Sequence, residues 1–291
     1  MTWANLIVQG VMLGGIYALL ACGLSLLFGV MRIINLAHGD IAVLGSYLVY
    51  VVCDHLGWSP FLALVIALPV MLVLGYLLQL GILDRSLRGG QLVPLLTTFG
   101  LAIVIQNLLL QVFSPDVHSL APYAPWISTA SWNVTSQISV PLIGVLGLVA
   151  AVAVLGGLQA FLHRTPLGRA MRATAQDADT AALVGIHPKA VYARATAIAV
   201  ATATLAGTFL AIRATFDPSS GSTQLIFAFE AVVIGGLGSL WGTLWGGIAL
   251  GVAQAIGGHI DPQYAILAGH ILFLAVLASP RGRVIAHGVA A

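Results

Sequence analysis

The strongest constraint on this chain is its division into apolar runs of about bilayer length. They lie at 5–30, 36–53, 60–83, 92–113, 140–162, 195–212, 224–257 and 264–280, with nearly all charge confined to the gaps. A hydrocarbon core of about 30 Å is crossed by about 20 apolar residues in a helix, because a helix satisfies its own backbone where no water can. With 59% hydrophobic and 7% charged side chains, against about a quarter charged in a soluble domain, the sequence predicts an all-α, polytopic membrane protein. A single transmembrane domain over residues 1–291 is expected, with the lipid bilayer as its solvent. A net charge of +2 without a basic tail gives no reason to expect nucleic acid as a partner. The opening residues MTWANLIVQG carry no positive charge ahead of the apolar stretch, so the first run is expected to be retained as a span rather than cleaved as a signal. Cys22 and Cys53 lie inside apolar runs and read as free buried thiols.

One run breaks the pattern. Residues 224–257 number 34, and as one helix would reach about 50 Å, too long for a single crossing. Two crossings and a turn would need more than about 40 residues. A half-helix that enters from outside, turns at Gly235-Gly236-Leu237-Gly238-Ser239 and returns as a full span fits the length, and non-helical backbone of this kind is tolerated where protein buries it. The competing expectation is one long tilted helix whose glycines serve close packing.

Between the fifth and sixth runs lies a charged island, residues 163–194, which holds Arg164, Arg169, Arg172, Lys189 and Arg194 of the 11 Lys and Arg in the chain. Thr165-Pro166 reads as an N-cap with proline at the first helical position, and Gly185 followed by Pro188 as the stop. Met171, Ala175, Ala178, Ala182 and Ile186 share one face of the predicted helix, with Arg169, Arg172, Gln176 and Asp179 on another. If this island is cytoplasmic, positive charge at Arg32, Arg85, Arg88, Arg281 and Arg283 also falls inside and only Arg213 outside. The N-terminus is then outside and the C-terminus cytoplasmic.

Polar groups within the runs are candidates for a translocation path, because they are expensive there. Asn35, His38 and Asp40 lie where the second run begins, and either line a path or start and cap the second helix. Gln106 and Asn107 form a polar patch on the fourth run, suited to helix–helix hydrogen bonds or to a path. Glu230 is the acid within 224–257 and either pairs with Arg213, is neutralised or faces a water-filled cavity. Gly235, Gly236 and Gly238 at the expected break complete the candidate path. Lys189 is the only lysine and no G-x-x-x-x-G-K precedes it, so no loop for ATP phosphates exists. Catalytic and metal-ligand motifs are likewise missing from the sequence, so no enzyme activity, metal or cofactor is expected of this chain.

Three stretches resemble one family. The order P-L-G-R-A-x-R-A-x-A-x-D-x-x-x-A-x-L-x-G-I over Pro166 to Ile186, the segment RIINLAHGD, and GGLGSLWGTLWGG all resemble the permease subunits of branched-chain amino-acid ABC importers, in particular the smaller permease of the pair. Leu36 and Asp40 are conservative departures, standing where the family carries an aromatic and a longer acid. The resemblance implies an inner-membrane importer subunit that works with a second permease, two cytoplasmic ATP-binding subunits and a periplasmic binding protein. It also implies that the island is the ATPase-coupling loop, through Gly168, Arg169, Arg172, Ala173, Asp177, Ala182, Leu183, Gly185 and Ile186. Relatives that carry urea, amides or other amino acids leave the substrate open. A stand-alone channel or secondary transporter using Glu230 or Asp40 is the alternative from another class.

Overall fold

The computed structural model describes residues 3–90, 92–135 and 138–279. Eleven principal helices follow one another among these residues: α1 Trp3–Met31, α2 His38–Leu56, α3 Pro60–Leu78, α4 Leu92–Phe113, α5 Leu142–Arg164, α6 Pro166–Gln176, α7 Ala178–Leu183, α8 Pro188–Arg213, α9 Gly221–Gly235, α10 Leu240–Ile260 and α11 Tyr264–Ala278. By length and composition seven of the described helices can cross a membrane: α1, α2, α3 with its extension to Ser86, α4, α5, α8 and α10. The expected run 264–280 is represented by α11, which ends at Ala278; Arg281, Arg283 and Ala291 lie outside the described residues. One antiparallel hairpin, β1 Ser131–Thr135 with β2 Ile138–Pro141, sets Trp132 opposite Val140 ahead of α5.

At the centre of the bundle stand α1 and α8, each with 78% of its apolar window buried inside the protein, whereas α4 and α5 bury 22% and form the periphery. Small residues make that centre possible. A methyl group on Gly10 would come within 2.6 Å of Val252 Cα, and one on Gly14 within 2.5 Å of the Gly247 carbonyl oxygen, so α1 and α10 run antiparallel with their backbones in contact. Close backbone approach of this kind replaces the hydrophobic drive that is lost when the solvent is itself apolar.

The long run 224–257 is broken, as its length demands. α9 ends at Gly235, Gly236 and Gly238 take positive φ of 96° and 79°, and α10 starts at Leu240. Ser239 caps α10 by accepting a hydrogen bond from the Gly242 amide at 3.1 Å. The two arms pack as a hairpin, with Gly235 against Gly242 and Gly246 against Ala231.

The island differs from the single amphipathic helix expected. It divides into α6 and α7 at Asp177, which leaves helical geometry (φ −158°, ψ 110°) and caps α7 with its own side chain. α8 begins earlier than the apolar run, at Pro188, and Lys189 at its start pairs with Asp84 at 3.2 Å.

Candidate functional site

The island is anchored to the bundle at one end and bare at the other. Thr165 Oγ1 accepts from the Gly168 amide at 3.0 Å, which fixes the start of α6. Gly168 has no space for a side chain, since a methyl group there would lie 2.2 Å from the Phe161 carbonyl oxygen. One turn on, Met171 is fully buried in the core of the bundle, Ala173 is half-buried and Arg169 exposed. Arg172 donates to His163 Nδ1 at 3.3 Å, bracing α6 against the end of α5.

Asp177 then accepts from the amides of Asp179 and Thr180 at 2.9 and 3.0 Å and from the Thr180 hydroxyl at 2.6 Å. A side chain that satisfies two orphan amides competes with helix continuation, which is why the break falls at this residue. The break turns the following face. Ala181 is buried and Ala182 exposed, so the apolar stripe drawn through Ala182 shifts by one residue in α7. Leu183 and Val184 project at 87% and 74% exposure. Gly185 at φ 86° ends α7, with its amide on the Ala182 carbonyl and the Ile186 amide on the Ala181 carbonyl, both 3.1 Å. This double bond pattern with a left-handed residue is the usual glycine-terminated helix end, as the sequence indicated at Gly185. Ile186 returns to the bundle half-buried.

A cavity of about 220 Å3 separates α6 from the broken helix, with Met171, Arg172 and Ala175 on one side and Gly238 and Leu240 on the other. Gly238 also lines a larger one of about 760 Å3 together with Arg32, Ile33 and Ile34. So the turn of the α9–α10 hairpin shares one cavity with the island and another with the segment that leads into α2.

That segment folds back along α1. Arg32 takes φ 55° after the end of α1, and the chain returns until His38 Nε2 meets the Leu20 carbonyl oxygen at 2.9 Å. The carbonyl only accepts, so Nε2 carries the proton. Leu20 lies about 16 Å back from the end of α1 at 1.5 Å per residue, so α2 starts well inside the bundle. Asn35 is buried and its Oδ1 accepts from the Ala37 amide at 3.0 Å, a turn just ahead of α2, whose cap position Ala37 offers no side-chain bond, so the capping expected of Asn35 is not what it does. Asp40 is 5% exposed in the first turn of α2 and abuts Gly221, the first residue of α9. A methyl group on Gly39 would lie 1.9 Å from the Gly221 carbonyl oxygen, so two helix starts meet here with no side chain between them.

Glu230, 2% exposed on α9, pairs with His270 Nδ1 of α11 and not with Arg213. The pairing joins residues 40 positions apart and ties the half-helix to the outer layer. A histidine inside the last apolar run was the available signal for this partner. Nearby, Tyr17 donates to Gln254 Oε1 at 2.8 Å, a buried link between α1 and α10. Gln106 and Asn107 are not part of this assembly. Asn107 is exposed on α4 and donates to the Ile103 carbonyl of its own helix at 2.8 Å, while Gln106 is half-buried. The structure therefore brings Asp40 to the start of α9 and Gly235, Gly236 and Gly238 to its end, with Glu230 between, while His38 faces α1 and Asn35 shapes the segment ahead of α2.

Comparison with known proteins agrees over nearly the whole chain. A family model described as branched-chain amino acid transport system / permease component matches residues 6–277. Over 288 residues the chain is 30% identical to the high-affinity branched-chain amino acid transport system permease protein BraD of Pseudomonas aeruginosa, covering 95% of this chain and 94% of that protein. It is 31% identical to the corresponding LivH of Escherichia coli, over 94% of this chain and 92% of the relative. Similarity extends at 25% identity to the permease protein LivM of Escherichia coli, over 92% of this chain and 67% of that one. With the helical bundle, the broken helix and the island in place, the chain belongs to the permease-component family of branched-chain amino acid transport systems.

Proposed function

We propose that the chain is one of two permease subunits in an ATP-driven importer of branched-chain amino acids in a cell inner membrane. Its partners in this reading are a second, LivM-like permease, two cytoplasmic ATP-binding subunits and a periplasmic binding protein. The chain itself supplies no nucleophile or base. The observation that carries the reading is the placement of α6–α7: α6 shares a cavity with the Gly238 turn, and α7 ends on Leu183 and Val184 as a bare apolar tip. An exposed apolar tip flanked by charge suits a groove on a soluble partner better than water. Movement of such a partner would press α6 on the α9–α10 turn, and α9 would carry the displacement to its other end at Asp40. Asn35, His38, Asp40 and Glu230 then lie on the elements that move around the path, while Gln106 and Asn107 stand apart from them.

The test is charge at the tip. Leu183→Asp or Ala182→Asp should leave membrane insertion intact but remove the ATP-binding subunit from the purified complex and abolish uptake. Gln176→Ala, on the solvated face of α6, should retain both. Uptake at the wild-type rate by an assembled Leu183→Asp complex would overturn the coupling role of the island. Uptake by this chain alone in liposomes, without ATP, would instead support an ion-coupled transporter drawing on the buried Glu230–His270 pair.

A further inference from the structure

A cavity of about 470 Å3 opens where α8 ends and α9 begins, and two opposite charges line it without pairing. Arg213, the last residue of α8, and Asp217, in the connecting segment, both face this space. Among the described residues neither makes an ion pair within 4.0 Å. The rest of the wall is mixed: Leu13 and Tyr17 of α1, Leu210 of α8 and Phe227 of α9 form an apolar side, and Ser219, Ser220, Thr223 and Gln224 a polar one. Leu13 and Tyr17 stand about 15 and 21 Å along α1 from Trp3, so the cavity reaches toward the middle of the molecule. Its volume falls within the few hundred cubic ångströms usual for small-molecule sites.

Each charge is set in place by its surroundings. Arg213 sits at the negative end of the α8 dipole. Asp217 accepts from the Ser219 amide at 2.7 Å, from the Ser219 hydroxyl, and from the Ser220 hydroxyl at 3.1 Å. Burial acts to raise the Asp217 carboxyl, but these bonds outweigh it and hold the group below the usual carboxylate range. A helix end accounts for Arg213 alone. It does not account for a fixed carboxylate across the same cavity, since opposite charges beside a membrane interior gain most by closing on each other. Held apart beside the apolar side formed by Leu13, Leu210 and Phe227, they match a dipolar guest with an apolar tail.

We propose that this cavity is a substrate subsite for a zwitterionic amino acid with an apolar side chain, in which Arg213 takes the carboxylate, Asp217 the ammonium group, and Leu13, Leu210 and Phe227 the side chain. The inference rests on the importer reading and assigns part of the selectivity to the permease itself. The guanidinium fork meets a carboxylate with two parallel hydrogen bonds, and an Arg213→Lys side chain offers only a point charge.

The experiment uses the complete complex in nanodiscs without its binding protein. Thr223→Cys, an exposed lining position, serves as the reporter, because Cys22 and Cys53 are buried and leave the new thiol as the reactive one. Leucine should slow maleimide labelling of that thiol, whereas 4-methylpentanoate, which lacks the ammonium group, and isoamylamine, which lacks the carboxylate, should not. Arg213→Gln and Asp217→Asn should each raise the leucine concentration for half-protection and, in proteoliposomes with ATP and the binding protein restored, the KM for uptake, by about tenfold or more, the loss expected of one charge-assisted hydrogen-bonded contact. Both variants should keep their ATP-binding subunits. Labelling indifferent to leucine overturns the proposal whether or not the variants lose uptake, as does wild-type KM in both variants. If the wild-type complex takes up no amino acid at all in proteoliposomes with ATP and its binding protein, it is the importer reading that fails.

Discussion

Glu230 shows how a single residue is understood only through its partner. In the sequence it is an acid in an apolar run, and Arg213 is the cation nearest in the chain. In the fold it meets His270, which keeps 38% of its side chain exposed while Glu230 keeps 3%. Glutamine retains an oxygen that accepts from His270, so Glu230→Gln should keep uptake within about threefold of wild type. Glu230→Leu removes the acceptor and should cost about 1–2 kcal/mol in thermal unfolding of the purified subunit, a typical buried hydrogen bond. Abolished uptake in an assembled Glu230→Gln complex would assign the charge itself a role in transport. Gly39 is the second decisive residue. A methyl group there collides with the backbone of Gly221 rather than with a side chain that can rotate away. Gly39→Ala should therefore destabilise by about 3 kcal/mol or more, at the upper end for overpacking. Gly100→Ala, on α4 with no atom within 4 Å of the new methyl, should be neutral or slightly stabilising through helix propensity. Similar melting temperatures for the two alanine variants would show that the helix starts do not meet this closely.

At the scale of elements, what could be read in advance followed from periodicity and length. The apolar runs became helices, and the break within 224–257 came from arithmetic on a 30 Å membrane. Thr165 and Gly185 announced the ends of the island through local chemistry, which needs no tertiary information. Three features were not legible. The fold-back of residues 32–37 depends on a hydrogen bond from His38 to a carbonyl on another helix. The Glu230–His270 pair depends on how α9 and α11 pack. The division of the island at Asp177 was accessible in principle, but an aspartate on a polar face reads equally as a solvated residue. Its consequence is testable. Hydrogen bonds from the Thr180 side chain, and from the amides of Thr180 and Asp179, hold the Asp177 carboxyl below the usual range. The folded value is depressed, so the cap is fully present above the unfolded value of about 3.9 and is lost only as pH falls through the lower folded one. Asp177→Asn caps comparably, and its uptake relative to wild type should stay constant between about pH 5 and pH 8. Asp177→Ala frees both amides and should weaken retention of the ATP-binding subunit. Equal retention by the alanine variant would mean that α7 does not depend on its cap.

Viewed whole, the molecule is electrically lopsided along its axis. The end that holds the close of α1, the start of α4 and the island gathers Arg32, Arg85, Arg164, Arg169, Arg172, Lys189 and Arg194. At the opposite end, Asp54, Asp116 and Asp261 lie near the ends of α2, α4 and α10, and Tyr123, in the segment between α4 and α5, donates to Asp54 in the last turn of α2 at 2.8 Å. Exposed tryptophans mark both ends, Trp3, Trp126 and Trp132 at the acidic one and Trp241 and Trp245 at the basic one. Such side chains settle at headgroup depth, and basic residues stay on the cytoplasmic side of a membrane. Our reading is therefore that the basic end faces the cytoplasm, where an ATP-binding partner can reach Leu183. Single cysteines report this directly, since Cys22 and Cys53 are buried. In intact cells a membrane-impermeant maleimide should label Asp116→Cys and leave Asp177→Cys unlabelled, and in inverted vesicles the pattern should reverse. Labelling of Asp177→Cys from outside would place the island beyond reach of ATP, and the orientation and the coupling role would fall together, because both depend on the same charged end.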